Sequence, residues 1–195
     1  MKKWKVMLSS NCQFTLAGLE HVIKSHDKLS EKTDVVSWPV SWLGHEDCIG
    51  FGIDILILVL DSTASKIVPR LIDNINRWNQ VSVILLTPSN CNAGVNHYLM
   101  QMVNARAVYS SAVSVATLQN QLIDIVENRV SNNKENMMKL SAREQVVISS
   151  LLKGVDMIRI ASELGLSYKT VSHYKRTALL KLGVSSLHGV MILGL

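Results

Sequence analysis

Five short runs rich in valine, isoleucine and leucine, "WKVMLS", "DVVSW", "IDILILVL", "VSVILLT" and "ARAVYS", punctuate the N-terminal two thirds of the chain. Apolar on nearly every residue, they fit strands covered on both faces, the form a parallel sheet takes when crossover helices flank it. The segments between them, Gln13 to Ser25, Ala64 to Trp78, Asn92 to Val103 and Val113 to Arg129, carry apolar residues at helical spacing, for example Leu118, Leu122, Ile125 and Val126. This alternation predicts an α/β domain with a doubly wound, five-stranded parallel sheet over residues 1–130. One crossover is weak: "VSWLGHEDCIGFG" is too short and too rich in glycine for a clear helix.

The pattern changes at "SNNKENMMK", Ser131 to Lys139, which is polar and aperiodic and reads as a linker over 131–138. From 139 to 195 the periodicity is helical throughout. Ser141 with Glu144 three residues later has the capping-box form, and Val147, Leu151 and Leu152 continue it as an apolar face that ends at Gly154. A second helix runs from about Asp156 to Leu164 and stops at Gly165, and Ser167 caps a third. Two helices joined by "LGLS" make a helix-turn-helix layout.

The third helix, within "LSYKTVSHYKRTALLKLGV", has two chemically distinct sides. Val171, Tyr174, Ala178 and Leu182 recur at spacings of three and four and form its inward face. Lys169, Ser172, His173 and Arg176 are expected to point outward together, where a recognition helix meets base edges and phosphates in the major groove. Lys169 and Lys175 read as phosphate clamps, and Ser172, His173 and Arg176 as base readers. Thr170 serves either a phosphate or the helix cap, and Lys181 suits the negative end of the helix dipole.

Charge distribution points the same way. Residues 1–135 hold 12 basic and 12 acidic side chains, whereas 136–195 hold 8 and 3, so the net +5 of the chain lies entirely in the second of these segments. A compact basic module beside a neutral one suits a polyanion, because counterion release dominates nucleic-acid affinity. The three cysteines, Cys12, Cys48 and Cys91, have no paired or CxxC spacing and suit a reducing compartment. The longest apolar run, Ile55 to Leu60, is far shorter than the roughly 20 residues a membrane helix needs. A soluble, cytoplasmic protein without membrane partners is expected. His45, His97 and the cysteines show no metal-ligand spacing, so no metal or other cofactor is expected.

The stretches "LSAREQVVISSLLKG" and "IASELGLSYKTVSHYKRTALLKLGV" together resemble the C-terminal DNA-binding domain of LuxR/FixJ/NarL-type regulators, without a gap from Leu140 to Val184. The form "KTVSHYKRTALLKLGV" is most similar to the capsule-regulator (Rcs) branch. The resemblance implies an all-α four-helix domain whose final short helix, about Ser185 to Leu193, serves in dimer contact. The family often has histidine three positions after the valine, where this chain has Tyr174, while His173 sits one residue earlier on the outward side.

In that family a response-regulator receiver normally precedes the DNA-binding domain, and the α/β part of this chain resembles one in topology. A phosphorylatable receiver requires an acidic pair after the first strand for Mg2+, an aspartate after the third, a hydroxyl after the fourth and a lysine after the fifth, all converging on one point. Here Ser9 and Ser10 replace the acidic pair, the acceptor position falls on Val59 with Asp61 two residues beyond, and Ser110 and Ser111 stand where the lysine belongs. Only Thr87, the hydroxyl, is in place. These residues define a vestigial pocket (Ser9, Ser10, Asp61, Thr87 and Ser110) unfit for ordinary aspartyl phosphorylation.

Such a domain would serve dimerisation or binding of a partner or effector, with Trp38, Trp42, Trp78 and Tyr98 as candidate anchors. The expected function is that of a sequence-specific, non-enzymatic transcription regulator acting on double-stranded promoter DNA as a homodimer or as a heterodimer with a related regulator. RNA polymerase is an optional further contact. The competing expectation is an auxiliary partner that modulates a related regulator and makes little independent contact with DNA. Scattered serines, histidines and cysteines form no constellation that would carry catalysis.

Overall fold

The structure is a computed structural model that describes residues 3–40, 52–60, 81–102, 105–127 and 140–191. Its five strands are β1 (Trp4–Ser9), β2 (Thr33–Trp38), β3 (Ile55–Val59), β4 (Ser82–Thr87) and β5 (Ala107–Ser110), all parallel in the order β2-β1-β3-β4-β5. Every residue of β3 is buried, because both sides of the sheet are covered. Val6, Leu8, Ile55, Ile57, Ile84 and Leu86 face one way, while Met7, Leu56, Leu58, Val83 and Leu85 face the other, as the two-residue period requires.

Helices α1 (Gln13–Lys24) and α2 (Asp27–Lys32) lead from β1 to β2, α3 (Ala93–Met102) leads from β4 to β5, and α4 (Val115–Val126) follows β5. Leu19 and Ile23 of α1, Leu29 of α2 and Leu118, Leu122 and Ile125 of α4 cover the first face. Helix α3 covers the second with Val95, Tyr98, Leu99 and Met102. Helix α2 escapes the sequence reading because six residues with a single buried one, Leu29, show no period. Residues 41–51 of the weak crossover, the segment Ala64 to Trp78, the 131–138 linker and residues His45, Cys48, Asp61, Trp42 and Trp78 lie outside the described residues.

The C-terminal part is helical: α5 (Ala142–Leu152), α6 (Met157–Leu164), α7 (Tyr168–Leu182) and α8 (Leu187–Met191). The caps expected at Ser141 and Ser167 are present, and Asp156 provides a further one. Ser141 and Glu144 complete a capping box, Asp156 accepts from the backbone N–H groups of Ile158 and Arg159, and Ser167 accepts from that of Thr170. Gly165 and Gly183 end α6 and α7 in the left-handed region, at φ 62° and 67°, where a side chain would be strained. Val147, Ile160, Ala161 and Val171 form a small core of their own. Ile148, Leu152, Ala178, Leu179, Leu182 and Val190 belong instead to the cluster that contains α3 and the second sheet face. The two domains therefore share one continuous hydrophobic core.

Candidate nucleic-acid interface

Helix α7 leaves the left-handed turn at Gly165 and starts on the Ser167 hydroxyl, 3.1 Å from the Thr170 N–H. Val171, Ala178 and Leu182 are buried as their spacing predicts, Tyr174 is half-buried beside them, and Leu179 is buried as well. With that side anchored, the sequence Lys169, His173, Arg176, Leu180 forms an exposed stripe along the helix, one residue per turn. Tyr168 extends the exposed surface at its N-terminal end.

The remaining site residues are less exposed than their spacing suggested. Ser172 is half-buried at the border of the stripe, and Lys175 is half-buried on the anchored side, at helical spacing from the buried Val171, Ala178 and Leu179. Lys175 can still bring its ammonium to solvent along its aliphatic stem. The Thr170 hydroxyl lies 2.8 Å from the Ser167 hydroxyl, so it takes part in the cap, one of the two roles expected for it. Thr177 turns its hydroxyl back to the His173 and Tyr174 carbonyls, which keeps it off the outer surface.

Electrostatics favour an anionic ligand. All three side-chain carboxylates within 136–195 are engaged inside the domain: Asp156 caps α6, Glu163 pairs with Arg159 at 2.9 Å, and Glu144 takes the Lys181 ammonium at 2.7 Å. Burial pushes the Glu144 carboxyl up, but hydrogen bonds from Lys181, from the Ser141 backbone and hydroxyl and from Thr177 outweigh it and hold the group down to about 2. Lys181 is thereby committed to the fold. Among the described residues none forms an ion pair with Lys169, Lys175 or Arg176, so their charge is available to phosphate.

At the C-terminal edge of the sheet the hydroxyl groups turn inward or onto local backbone. Ser9 and Ser10 are buried, the Ser10 hydroxyl accepts from the Cys12 N–H, and Thr87 donates to the Tyr109 carbonyl at 3.3 Å. Ser110 is half-buried and accepts from the Ala112 N–H. Burial pushes the nearby Cys91 thiol up to about 11, against a hydrogen bond with Thr87, which makes it a poor nucleophile at neutral pH. Tyr98, a candidate interface anchor, is buried between the domains, and Trp38 lies partly buried against the same core. No helix among the described residues is long and apolar enough to cross a membrane, and they hold no group of three or more His, Cys, Asp or Glu that could bind a metal.

Residues 138–193 match the family described as bacterial regulatory proteins, luxR family. No curated protein matches the chain. Solved structures resemble nearly its whole length. The two-component response regulator RcsB in complex with DNA superposes with a TM-score of 0.57 at 20% identity, covering 98% of this chain and 96% of that one. RcsB from Salmonella enterica serovar Typhimurium bound to the rprA promoter, with the phosphomimetic BeF3−, gives 0.58 at 18% identity, covering 97% of both chains. At these identities the likeness establishes the fold, a receiver-like domain followed by a helix-turn-helix domain.

Proposed function

Since residues 138–193 form a luxR-family regulatory domain, we propose that this chain is a sequence-specific DNA-binding transcription regulator that enters the major groove with α7. The observation that carries the reading is the open stripe of Lys169, His173 and Arg176, with no side-chain carboxylate among the described residues 140–191 left free to oppose a phosphate. Arg176, His173 and Ser172 read base edges, Arg176 having the geometry for a bidentate pair with guanine. Lys169 and Lys175 hold phosphates, and Thr170 orders the first turn that presents them.

The active species is a dimer, a homodimer or a heterodimer with a related regulator, in a cytoplasmic setting. The structural relatives support this reading, because RcsB is described both bound to DNA and as two dimers on two parallel DNAs. The first domain works without ordinary aspartyl phosphorylation. Two buried serines stand where the Mg2+ carboxylates belong, so the charge that would draw the ion and a phosphoryl donor is missing.

Selection of fragments from a genomic DNA library at physiological salt, with the full-length protein and its Arg176→Ala variant, tests the reading. Enrichment of a short repeat by the wild type and its loss in the variant are expected. Salt-sensitive background binding without enrichment would favour the auxiliary partner instead.

A further inference from the structure

An N-cap needs only a hydrogen-bond acceptor, and Ser141, Asp156 and Ser167 provide one each. Asn92 caps α3 in the same way, its Oδ1 accepting from the Val95 N–H at 2.8 Å. Its amide has a second end, and that end leaves the domain. Nδ2 donates at 3.1 Å to the carbonyl of Gly183, the residue that closes the C-terminus of α7.

Two residues on, Gly94 lies against the same helix end. A Cβ at Gly94 would stand 2.6 Å from the Leu182 carbonyl oxygen and 2.9 Å from its Cα, and backbone atoms cannot rotate away as a side chain could. Around this close approach, Val95, Tyr98 and Leu99 of α3 share one buried cluster with Ala178, Leu179 and Leu182 of α7. The Tyr98 hydroxyl lies 3.4 Å from that of Ser149, and Gln145 donates to Gln101 at 3.4 Å, so polar contacts flank the apolar ones. Leu182 comes nine residues after His173 and so lies about half a turn away around the helix axis. The docked side of α7 and its exposed stripe face different ways.

We propose that Asn92 and Gly94 are positioning residues for the DNA-reading helix: they seat the C-terminal end of α7 on α3 of the first domain and leave its reading stripe open. The inference rests on the DNA-binding reading above. It gives the first domain a role in DNA recognition that needs no phosphate chemistry, through a packed contact that begins shortly after Thr87 at the end of β4.

Two full-length variants test it. Asn92→Asp keeps the acceptor that caps α3, loses the donor to Gly183 and sets a carboxylate oxygen against that carbonyl. Gly94→Val removes the room for Leu182. The measurements are amide hydrogen exchange at Gly183 and Val184, whose N–H groups close α7 onto Leu180 and Leu179, and affinity for a fragment selected by the wild type.

Both variants should exchange faster at these two amides, keep the protection of β1, β3 and β4, and bind the fragment about tenfold more weakly, an ordinary size for coupling between sites. The unchanged cap of Asn92→Asp separates positioning from loss of α3. Wild-type exchange and affinity in both variants would overturn the proposal, and so would tighter binding by either, which would make the docking a brake. A wild type that selects no DNA would instead overturn the underlying reading, and the exchange comparison would then decide the docking by itself.

Discussion

Lys181, in the last turn of α7, reaches Glu144, in the first turn of α5, at 2.7 Å, and the same carboxylate oxygen accepts the Ser141 N–H at 2.6 Å. One buried anion thus closes the start of α5 and anchors the end of the reading helix. Both charges gain from their positions on the two helix dipoles, the anion at an N-terminus and the cation at a C-terminus.

Stability should accordingly depend on acid. The Glu144 carboxyl sits at about 2 in the fold against an ordinary 4.5, so it contributes stability that is fully present above about pH 4.5 and is lost as the pH falls towards 2. Thermal melts across this window should show the wild type losing on the order of 2–3 kcal/mol more than Glu144→Gln, which lacks the titrating group. Parallel pH profiles would refute the assignment.

Truncation of Arg176 and of Lys169 should have different signatures. Arg176→Ala should cost about 1–3 kcal/mol on the selected site and relax one base position. Lys169→Ala should weaken all sequences alike and flatten the slope of log affinity against log salt by about 1. Titrations on matched and scrambled duplexes at several salt concentrations distinguish the two.

Removal of the α7 cap should loosen the reading surface without touching it. Ser167→Ala takes away the acceptor of the Thr170 N–H and the partner of the Thr170 hydroxyl, at a cost of about 1 kcal/mol. A lower melting temperature with reduced DNA affinity is expected. Ser167→Asp should restore the melting temperature, since aspartate caps equally well, but not the affinity, since it sets a carboxylate near the phosphate-holding Lys169.

Incubation with acetyl phosphate and Mg2+ should leave the protein unlabelled and its DNA affinity unchanged, and Asp61→Asn should behave as the wild type. Phosphate incorporation detected by intact-mass measurement, absent from Asp61→Asn, would show that the first domain retains aspartyl chemistry in spite of its two serines.

Much of this molecule was legible in the residues. The strand runs, the capping box at Ser141 and Glu144, the Ser167 cap and the glycine stop at Gly165 are local features, and local chemistry decides them. Helix α2 was not legible, because one turn and a half around Leu29 carries no period. Within the candidate site, Lys169, His173 and Arg176 emerged on the outer face as their spacing suggested, whereas Ser172 and Lys175 proved half-buried and Leu179 joined the buried side. Neighbours packed from another direction widened the anchored face beyond one narrow stripe.

Side-chain period, caps and composition were enough to tell the main buried faces, the bounds of the longer helices and where the positive charge collects. What those faces are buried against came from the packing of the folded chain. Leu182 read as part of the inward face of its helix, Tyr98 as a candidate interface anchor, and Asn92 and Gly94 as residues of the helix from Asn92 to Val103, with nothing to show that this helix meets the end of α7. Hydrophobic burial is non-directional, so periodicity names a buried face without naming its partner, and a hydrogen bond between residues as far apart in the chain as Asn92 and Gly183 leaves no local trace.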